Sequence, residues 1–519
     1  MNTDKKYLAL LGLLLLSKAI FIFGIIYSAE IGLGPDEAQY WTWSRDLSWG
    51  YYSKPPAIAW QIWLGGKLFG NTELGVRFGS IILSSLLSVV LYVFARSCRL
   101  KPQTAFWSGA VFALTPLGML SALFAITDVG MVLFWTLSVL IVAKALANEK
   151  TPSYMILGLV IMAGALFKWS IYFFWPIIFV AMLFFPFLRS RNIFWGMAIS
   201  LLGLLPSFIW NTSHQWATFR HVLRTMTGGQ SSDLGTTPLS KGNAFEFLGA
   251  QIVLLSPILF ILLVIALLDY RKKTKVSPNP ALSFCLFIFF VPFVLGLIWS
   301  CLTKLQGNWI DYIYPSTIVF LCAYCCESVS WGRIWLKIGT LFSLILCLLA
   351  LSIPYVQEHS LLGRYPIAYR LNPFHHNIGW NNLSEALIQS GYDSSQHFLF
   401  GDKYQMSSIL SFYGPHQKRA YFLNLQGVRK NQFSYWPSMA QDQLGKTGYF
   451  VLAENSPHLE KEQQATIDRY QKILKEYFSD VVFLGVKPLF LSYGKEVKGA
   501  YMFKCLKYNG KEPKESNLY

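Results

Sequence analysis

Residues 8–26 read LALLGLLLLSKAIFIFGII, with Lys18 as the one charge among them. A crossing of the bilayer core takes about 20 mostly apolar residues, so this stretch amounts to one crossing. Lys5 and Lys6 precede it, as in a secretory leader, but the run is too long and Tyr27-Ser28-Ala29 makes a poor cleavage site. The expectation is a retained first transmembrane helix with its N-terminus in the cytoplasm.

Runs of the same kind recur outward from it. They lie near 7–28, 76–95, 103–122, 129–147, 153–167, 170–187, 193–210, 247–268, 281–301, 310–328 and 336–355, which predicts about eleven crossings. The whole chain of 519 residues is 54% hydrophobic and 14% charged, against roughly 25% charged in soluble proteins. Those values exclude a soluble enzyme, a fibrous protein and a disordered chain. A β-barrel is disfavoured, because its strands alternate apolar and polar residues in short segments. The predicted fold class is an α-helical polytopic membrane protein.

The net charge of +17 resembles a nucleic-acid binder until the cations are placed. Arg96, Arg99 and Lys101, then Lys144 and Lys150, Arg189 and Arg191, Arg271, Lys272, Lys273 and Lys275, and Arg333 and Lys337 fall in alternate loops. That is the positive-inside pattern, and no nucleic-acid partner is expected. The pattern also splits 153–187 into two short helices joined near Lys168, because a single helix turns the basic 271–275 loop outward. Seven of the eight cysteines lie in or beside apolar runs and Cys505 stands alone, with neither ligand spacing nor a disulfide framework.

The remaining loops are different in kind. Residues 29–75 form a long, aromatic, polar first outer loop. Residues 211–246 hold His214, Arg220, His221 and Arg224 before a Gly/Ser/Thr stretch. After about 356 the chain stays polar. Strand-like runs at 397–400, 449–452, 481–484 and 489–492 alternate there with helical patterns at 383–389, 406–412 and 459–477, the mark of a small α/β domain. The expected domains are 1–355 in the membrane and 356–519 as a periplasmic α/β domain, on the same side as the first outer loop.

That loop carries GPDEAQYWTWSRDLSWGYYSKPP over residues 34–56. Pro35 suits the first position of a helix and places Asp36 and Glu37 in its first turn. Asp36 and Tyr40 share a helix face. Trp41, Trp43, Trp49, Tyr51 and Tyr52 suit a membrane–water interface. Two readings stand side by side. One is an interfacial helix anchored by aromatic rings. The other is a carboxylate pair and Lys54 held at the bilayer surface, for an amphipathic substrate with a sugar or phosphate head.

The order of the parts adds a resemblance. The Asp36-Glu37 pair is followed by Lys54-Pro55-Pro56, Arg77, Thr127-Asp128, Lys168, Trp210-Asn211 with His214, and Gly307-Asn308-Trp309. This series resembles the bacterial GT-C membrane glycosyltransferases, a superfamily of protein O-mannosyltransferase-like enzymes, aminoarabinose transferases and lipopolysaccharide galacturonosyltransferases. Asp402-Lys403-Tyr404-Gln405 and residues 431–436, NQFSYW, are similar to the outer domain of some bacterial members.

The resemblance implies Asp36 as the catalytic carboxylate, with Asp128 as a second family carboxylate. Lys54 matches a lysine that meets the lipid phosphate, and Lys168 resembles a lysine of the donor site. Among the other candidates, Glu37 either holds the loop or binds acceptor, and Tyr40 either positions Asp36 or is an interface aromatic. Arg77 either neutralises phosphate or pairs with Glu73 one turn earlier. His214 and His221 either touch substrate or are polar surface. His375-His376 has no partners for a metal site. The implied activity is an inverting transfer of a sugar from polyprenyl (undecaprenyl) phosphate to lipid A or lipopolysaccharide core at the periplasmic face of a bacterial inner membrane. A protein Ser/Thr hydroxyl is the other acceptor class. No Asp-X-Asp nucleotide-sugar signature and no phosphate-binding Gly-rich loop is evident, which agrees with a lipid-linked rather than a nucleotide donor, and the resemblance, in which many members need no catalytic metal, implies no metal or cofactor. A lipid-linked sugar flippase is disfavoured, because charges gather at outer helix ends and no half repeats. A non-catalytic scaffold is disfavoured by the carboxylate-rich first loop.

Overall fold

The computed structural model describes residues 3–226, 242–273, 279–363, 365–455 and 460–519. The Gly/Ser/Thr stretch at 227–241 and Lys275 lie outside them. The first apolar run is helix α1 (Thr3–Tyr27), which buries Leu11, Leu15, Lys18, Ile22 and Ile26 along one stripe. Lys18 is the exception to charges gathering at helix ends. Its Nζ donates to the Gly118 carbonyl at 2.7 Å and to Ser84 Oγ at 3.3 Å, so its buried ammonium is met by oxygen rather than by lipid.

Helices α2 (Pro35–Ser44) and α3 (Ala57–Phe69) follow within the first loop, then α4 (Glu73–Ser97). Thr72 caps α4 by accepting from Gly75 N at 3.1 Å. Ser80, Ser84 and Ser88 make a buried seam of small residues on α4. Opposite them, a Cβ on Gly109 meets the Ser88 carbonyl oxygen at 2.6 Å. Small residues at such a seam let two membrane helices approach closely.

Seven described helices are long and apolar enough to cross a membrane. Two further expected runs are bent pairs. One is α5 (Pro102–Leu114) with α6 (Pro116–Leu123), bent by 61°, and the other is Ala244–Leu255 with Pro257–Asp269, bent by 99°. The first bend falls where Pro116 has no N–H to continue the ladder and Thr115 caps the new helix. The last two runs are the shorter apolar helices Tyr154–Ala165 and Trp169–Ala181. The break at Lys168 therefore lies where the charge pattern placed it.

The last long helix, Gly332–Glu358, leads into the tail. Its sheet holds five strands, β1 (His397–Gly401), β2 (Tyr421–Phe422), β3 (Thr447–Asn455), β4 (Phe478–Ser492) and β5 (Lys495–Tyr508), in the order β2-β1-β3-β5-β4. β1 pairs parallel with β2 and β3, while β5 runs antiparallel between β3 and β4. Two details differ from expectation. The runs at 481–484 and 489–492 are one strand, β4, with register shifts around Gly485 and Pro488. β2 and β5 went unpredicted, and β5 is an interior strand paired on both edges. Its residues 498–503 are buried without interruption, so the alternation that marks a half-exposed strand is missing.

The tail packs onto the first loop. Trp41 meets Phe412 edge-on at 5.0 Å, Leu33 N donates to Tyr413 Oη at 2.6 Å, and Tyr52 N donates to Gln432 Oε1 at 2.7 Å. This overturns the interfacial-helix reading for most of the loop aromatics. Trp41, Trp43, Tyr51 and Tyr52 are buried among α2, α3 and the tail, and Trp49 alone of the five stays exposed. Their rings found protein to pack on, and a polar tail shielded them from both water and lipid.

Candidate active site

Pro35 at the first helical position starts α2, with Asp36 and Glu37 in the first turn. Successive residues on a helix project about 100° apart, and the two carboxylates go separate ways. Glu37 turns inward and is buried. Its Oε1 accepts from Arg77 Nε and from Ala125 N, both at 2.9 Å. Its Oε2 accepts from Arg77 Nη2 at 2.8 Å and from Gly34 N at 2.9 Å.

Arg77 is fully buried and also donates to the carbonyls of Ile31 at 2.8 Å and Gly32 at 2.7 Å. Of the two partners considered for Arg77, phosphate and Glu73, the second lies within electrostatic reach. Its guanidinium closes on Glu37, while Glu73 accepts from Tyr413 Oη. Glu37 and Arg77 together clamp the entry to α2 onto α4 and onto the segment before helix α7 (Thr127–Ala147).

Asp36 turns the other way. Its side chain is accessible, yet protein surrounds it. Burial pushes its pKa above the usual aspartate range. The charges of Lys54 and Arg429 pull it back down, and Glu37 adds a smaller upward push. Tyr40, one turn on, is buried beside Asp36 and within electrostatic reach of Asp128 and Tyr404, so it lies in the wall between the two aspartates.

Lys54 is half-buried at the start of the Pro55-Pro56 turn. Burial lowers its pKa and the neighbouring Lys168 lowers it further, against the upward pull of Asp128 and Asp36. Asp128 stands in the first turn of α7, and its Oδ1 accepts from Lys168 Nζ at 2.6 Å. Lys168 reaches it from the break between the two short helices, which explains why an ionisable residue interrupts that apolar stretch.

Five of the expected residues thus share one enclosed space: Asp36, Tyr40, Lys54, Asp128 and Lys168. His214 is half-buried. It stacks on Trp210 at 3.9 Å and meets Tyr435 of the tail at 5.7 Å. His221 reaches further in, with its ring 5.0 Å from that of Tyr52. Burial, helped by the charges of Arg429, Lys54 and Arg224, pushes its pKa down to about 3, so the imidazole is neutral at neutral pH. Asn211 brings it there. Its Oδ1 accepts from Thr218 N at 2.9 Å and its Nδ2 donates to Thr218 Oγ1 at 3.0 Å. Thr218 Oγ1 in turn donates to the Tyr51 carbonyl at 3.0 Å.

Two residues were missed by sequence reasoning. Asp311 is buried with Oδ1 unpartnered, within electrostatic reach of Asp128 and Lys168. It follows Gly307-Asn308-Trp309 by two residues, and that motif was its only signal. Arg429 comes from the tail, just before the Asn431–Trp436 stretch. Among the described residues no group of three or more His, Cys, Asp or Glu side chains is placed to hold a metal ion. What the space offers to a substrate is an accessible carboxylate among cations.

The chain is similar to several known proteins. Residues 53–210 match the model of the dolichyl-phosphate-mannose-protein mannosyltransferase family. The chain is 32% identical over 228 residues to lipid A galacturonosyltransferase RgtD of Rhizobium johnstonii, covering 43% of this chain and 47% of that one. It is 29% identical over 113 residues to the undecaprenyl phosphate-alpha-4-amino-4-deoxy-L-arabinose arabinosyl transferase of Pseudomonas aeruginosa, covering 19% of this chain and 21% of that one. The chain thus spans about half the length of the first relative and a fifth of the second. Over nearly its whole length it shares the fold of ArnT from Cupriavidus metallidurans, whose structure was solved bound to undecaprenyl phosphate. The TM-score is 0.60 at 12% identity, covering 94% of this chain and 97% of that one. Residues 53–210 thus resemble the dolichyl-phosphate-mannose-protein mannosyltransferase family, within a chain that has the fold of ArnT.

Proposed function

We propose that this chain is an inverting glycosyltransferase that moves a sugar from undecaprenyl phosphate to a hydroxyl of lipid A or the lipopolysaccharide core. The observation that carries the reading is the accessible carboxylate of Asp36, enclosed with Lys54 and the Lys168–Asp128 pair. The named roles of the relatives, one acting on lipid A and one on an undecaprenyl-phosphate sugar, supply the two substrate classes. The basic loops support a cytoplasmic N-terminus, and on this reading the chain lies in a bacterial inner membrane with the site and the tail in the periplasm.

The chemistry follows from the residues. The acceptor oxygen forms a bond to the anomeric carbon as the bond from that carbon to the phosphate oxygen breaks. The acceptor proton passes to Asp36, whose raised pKa makes it a better base than a solvated aspartate. Polyprenyl phosphate leaves with its charge stabilised by Lys54. A single displacement inverts the anomeric centre. Tyr40 and the Lys168–Asp128 pair position these groups, His214 and His221 border the acceptor side, and Glu37 with Arg77 holds the loop.

The matched family is named for transfer to protein, so a protein hydroxyl is the second acceptor class. Mass spectrometry of lipid A and core oligosaccharide tests both. The comparison is between wild type, a deletion strain, and the deletion complemented with Asp36→Asn. A sugar-sized mass lost in the deletion and not restored by Asp36→Asn is the expected result. Unchanged glycolipids in all three overturn the lipopolysaccharide acceptor. A mass lost from periplasmic proteins instead supports the protein acceptor.

A further inference from the structure

Arg429 belongs to a different domain from every other charged group in the enclosed space, and the tail is built to deliver it there. The loop that carries it is closed on one side by Asn424, whose Oδ1 accepts from Val428 N at 2.9 Å while its Nδ2 donates to the Val428 carbonyl at 2.8 Å. Gly427 supplies the left-handed turn between them, at φ +64°. On the other side Lys430 N donates to the Leu518 carbonyl at 2.8 Å, and Gln432 fastens the loop to Tyr52 N. From beneath, buried Asp402 accepts from Gln426 Nε2 and from Tyr470 Oη. Thus the two tail segments that stood out in the sequence, 402–405 and 431–436, both brace one arginine.

The guanidinium itself lies 5.7 Å from the ring of Tyr52 and 5.5 Å from that of Tyr404. Tyr52 is two residues from Lys54. The charge of Arg429 acts on Asp36, Lys54 and His221 alike. Lys54 and Arg429 repel each other in a space where water screens poorly, so an anion bound between them is favoured. A planar guanidinium also suits the paired oxygens of a phosphate or a carboxylate.

We infer that Arg429 is a donor-binding residue supplied by the tail, holding an anionic oxygen of the lipid-linked sugar together with Lys54. The inference rests on the glycosyltransferase reading. It also gives the tail a part in the reaction site beyond covering it. The anionic oxygen has two sources, the phosphodiester or the carboxylate of an acidic sugar.

The test uses the full-length protein in lipid nanodiscs. Binding of undecaprenyl phosphate is measured for wild type, Arg429→Ala, Arg429→Gln and Arg429→Lys. Transfer is then measured with undecaprenyl-phosphate donors bearing galacturonic acid or galactose. A hydrogen-bonded charge of this kind is worth about tenfold or more in affinity. If Arg429 holds the phosphate, Arg429→Ala and Arg429→Gln weaken undecaprenyl phosphate binding about that much and raise KM for both donors. Arg429→Lys then falls between them and wild type. If it holds the sugar carboxylate, undecaprenyl phosphate binds as before and KM rises for the galacturonic acid donor alone. Unchanged affinity and unchanged KM for both donors overturn the inference. So does an equal loss in all three variants that tracks a lowered melting temperature, the mark of a structural arginine. Should Arg429→Ala fail to fold, the Gln and Lys variants carry the comparison. Wild type that binds no undecaprenyl phosphate overturns the glycosyltransferase reading itself.

Discussion

At Asp36 the charged form is disfavoured by its surroundings, and two measurements follow. Its pKa is raised, chiefly by burial, so the carboxylate appears only at pH values above the ordinary aspartate range near 3.9. The acid limb of kcat/KM is therefore expected to lie above that range, with activity lost as pH falls through the raised pKa. Stability moves the other way. The folded state binds the proton more tightly than the unfolded chain, so ionisation of Asp36 lowers stability as pH rises through the same window. At neutral pH Asp36→Asn should melt at or above the wild-type temperature while transfer is abolished. A melting temperature well below wild type would mean that the carboxylate supports the fold. The neighbouring Glu37 shows what sequence could not resolve. Two adjacent acidic residues look alike on paper, and only their directions separate a base from a clamp.

At the scale of elements, the clamp decides how α2 is set. Helix α2 is 10 residues long, below the length at which an isolated helix is stable in water. It is held by tertiary contacts, and the buried Arg77–Glu37 pair at 2.8 Å is central to them. Removing one partner of a buried ion pair leaves the other uncompensated, at a cost of about 3–5 kcal/mol. Arg77→Met is expected to destabilise by that amount in thermal unfolding of the purified protein. A variant of wild-type stability with a raised donor KM would instead make Arg77 a phosphate ligand. The break at Lys168 works similarly. The residue lies between the two short helices, and its ammonium meets Asp128 at the start of α7, so one ion pair fixes the relative position of two apolar segments. The positive-inside pattern made that break legible, whereas the partner of Lys168 lay 40 residues away in sequence.

At the scale of the whole molecule, the tail closes the site by docking on the first loop. Gly32 lies in the contact. A Cβ there would come within 2.7 Å of Tyr413 Oη and 2.8 Å of the Asn377 carbonyl oxygen. Gly32→Val is therefore expected to loosen the tail by about 1–3 kcal/mol. The readout is faster limited proteolysis between the last apolar helix and β1, accompanied by lower transfer activity. Proteolysis at the wild-type rate would mean that the contact is soft enough to absorb a side chain. The same docking explains why loop aromatics that suit a bilayer surface are buried, and why a tail arginine stands in the site.

The amino-acid sequence by itself determined the membrane class, the positions of the apolar segments, the break near Lys168 and most of the residues proposed for the site. Each rests on local features, such as long apolar runs, loop charge, and a Pro-Asp-Glu helix start followed by Lys-Pro-Pro. Tertiary structure alone decided which carboxylate faces the enclosed space and which closes on Arg77. It also decided that His221 penetrates further than His214, and that Asp311 and Arg429 join the group. Those outcomes depend on side-chain direction and on contacts between segments far apart in the chain. Arg429 and Asp36 are separated by most of the protein, and the sheet and its loops bring them together.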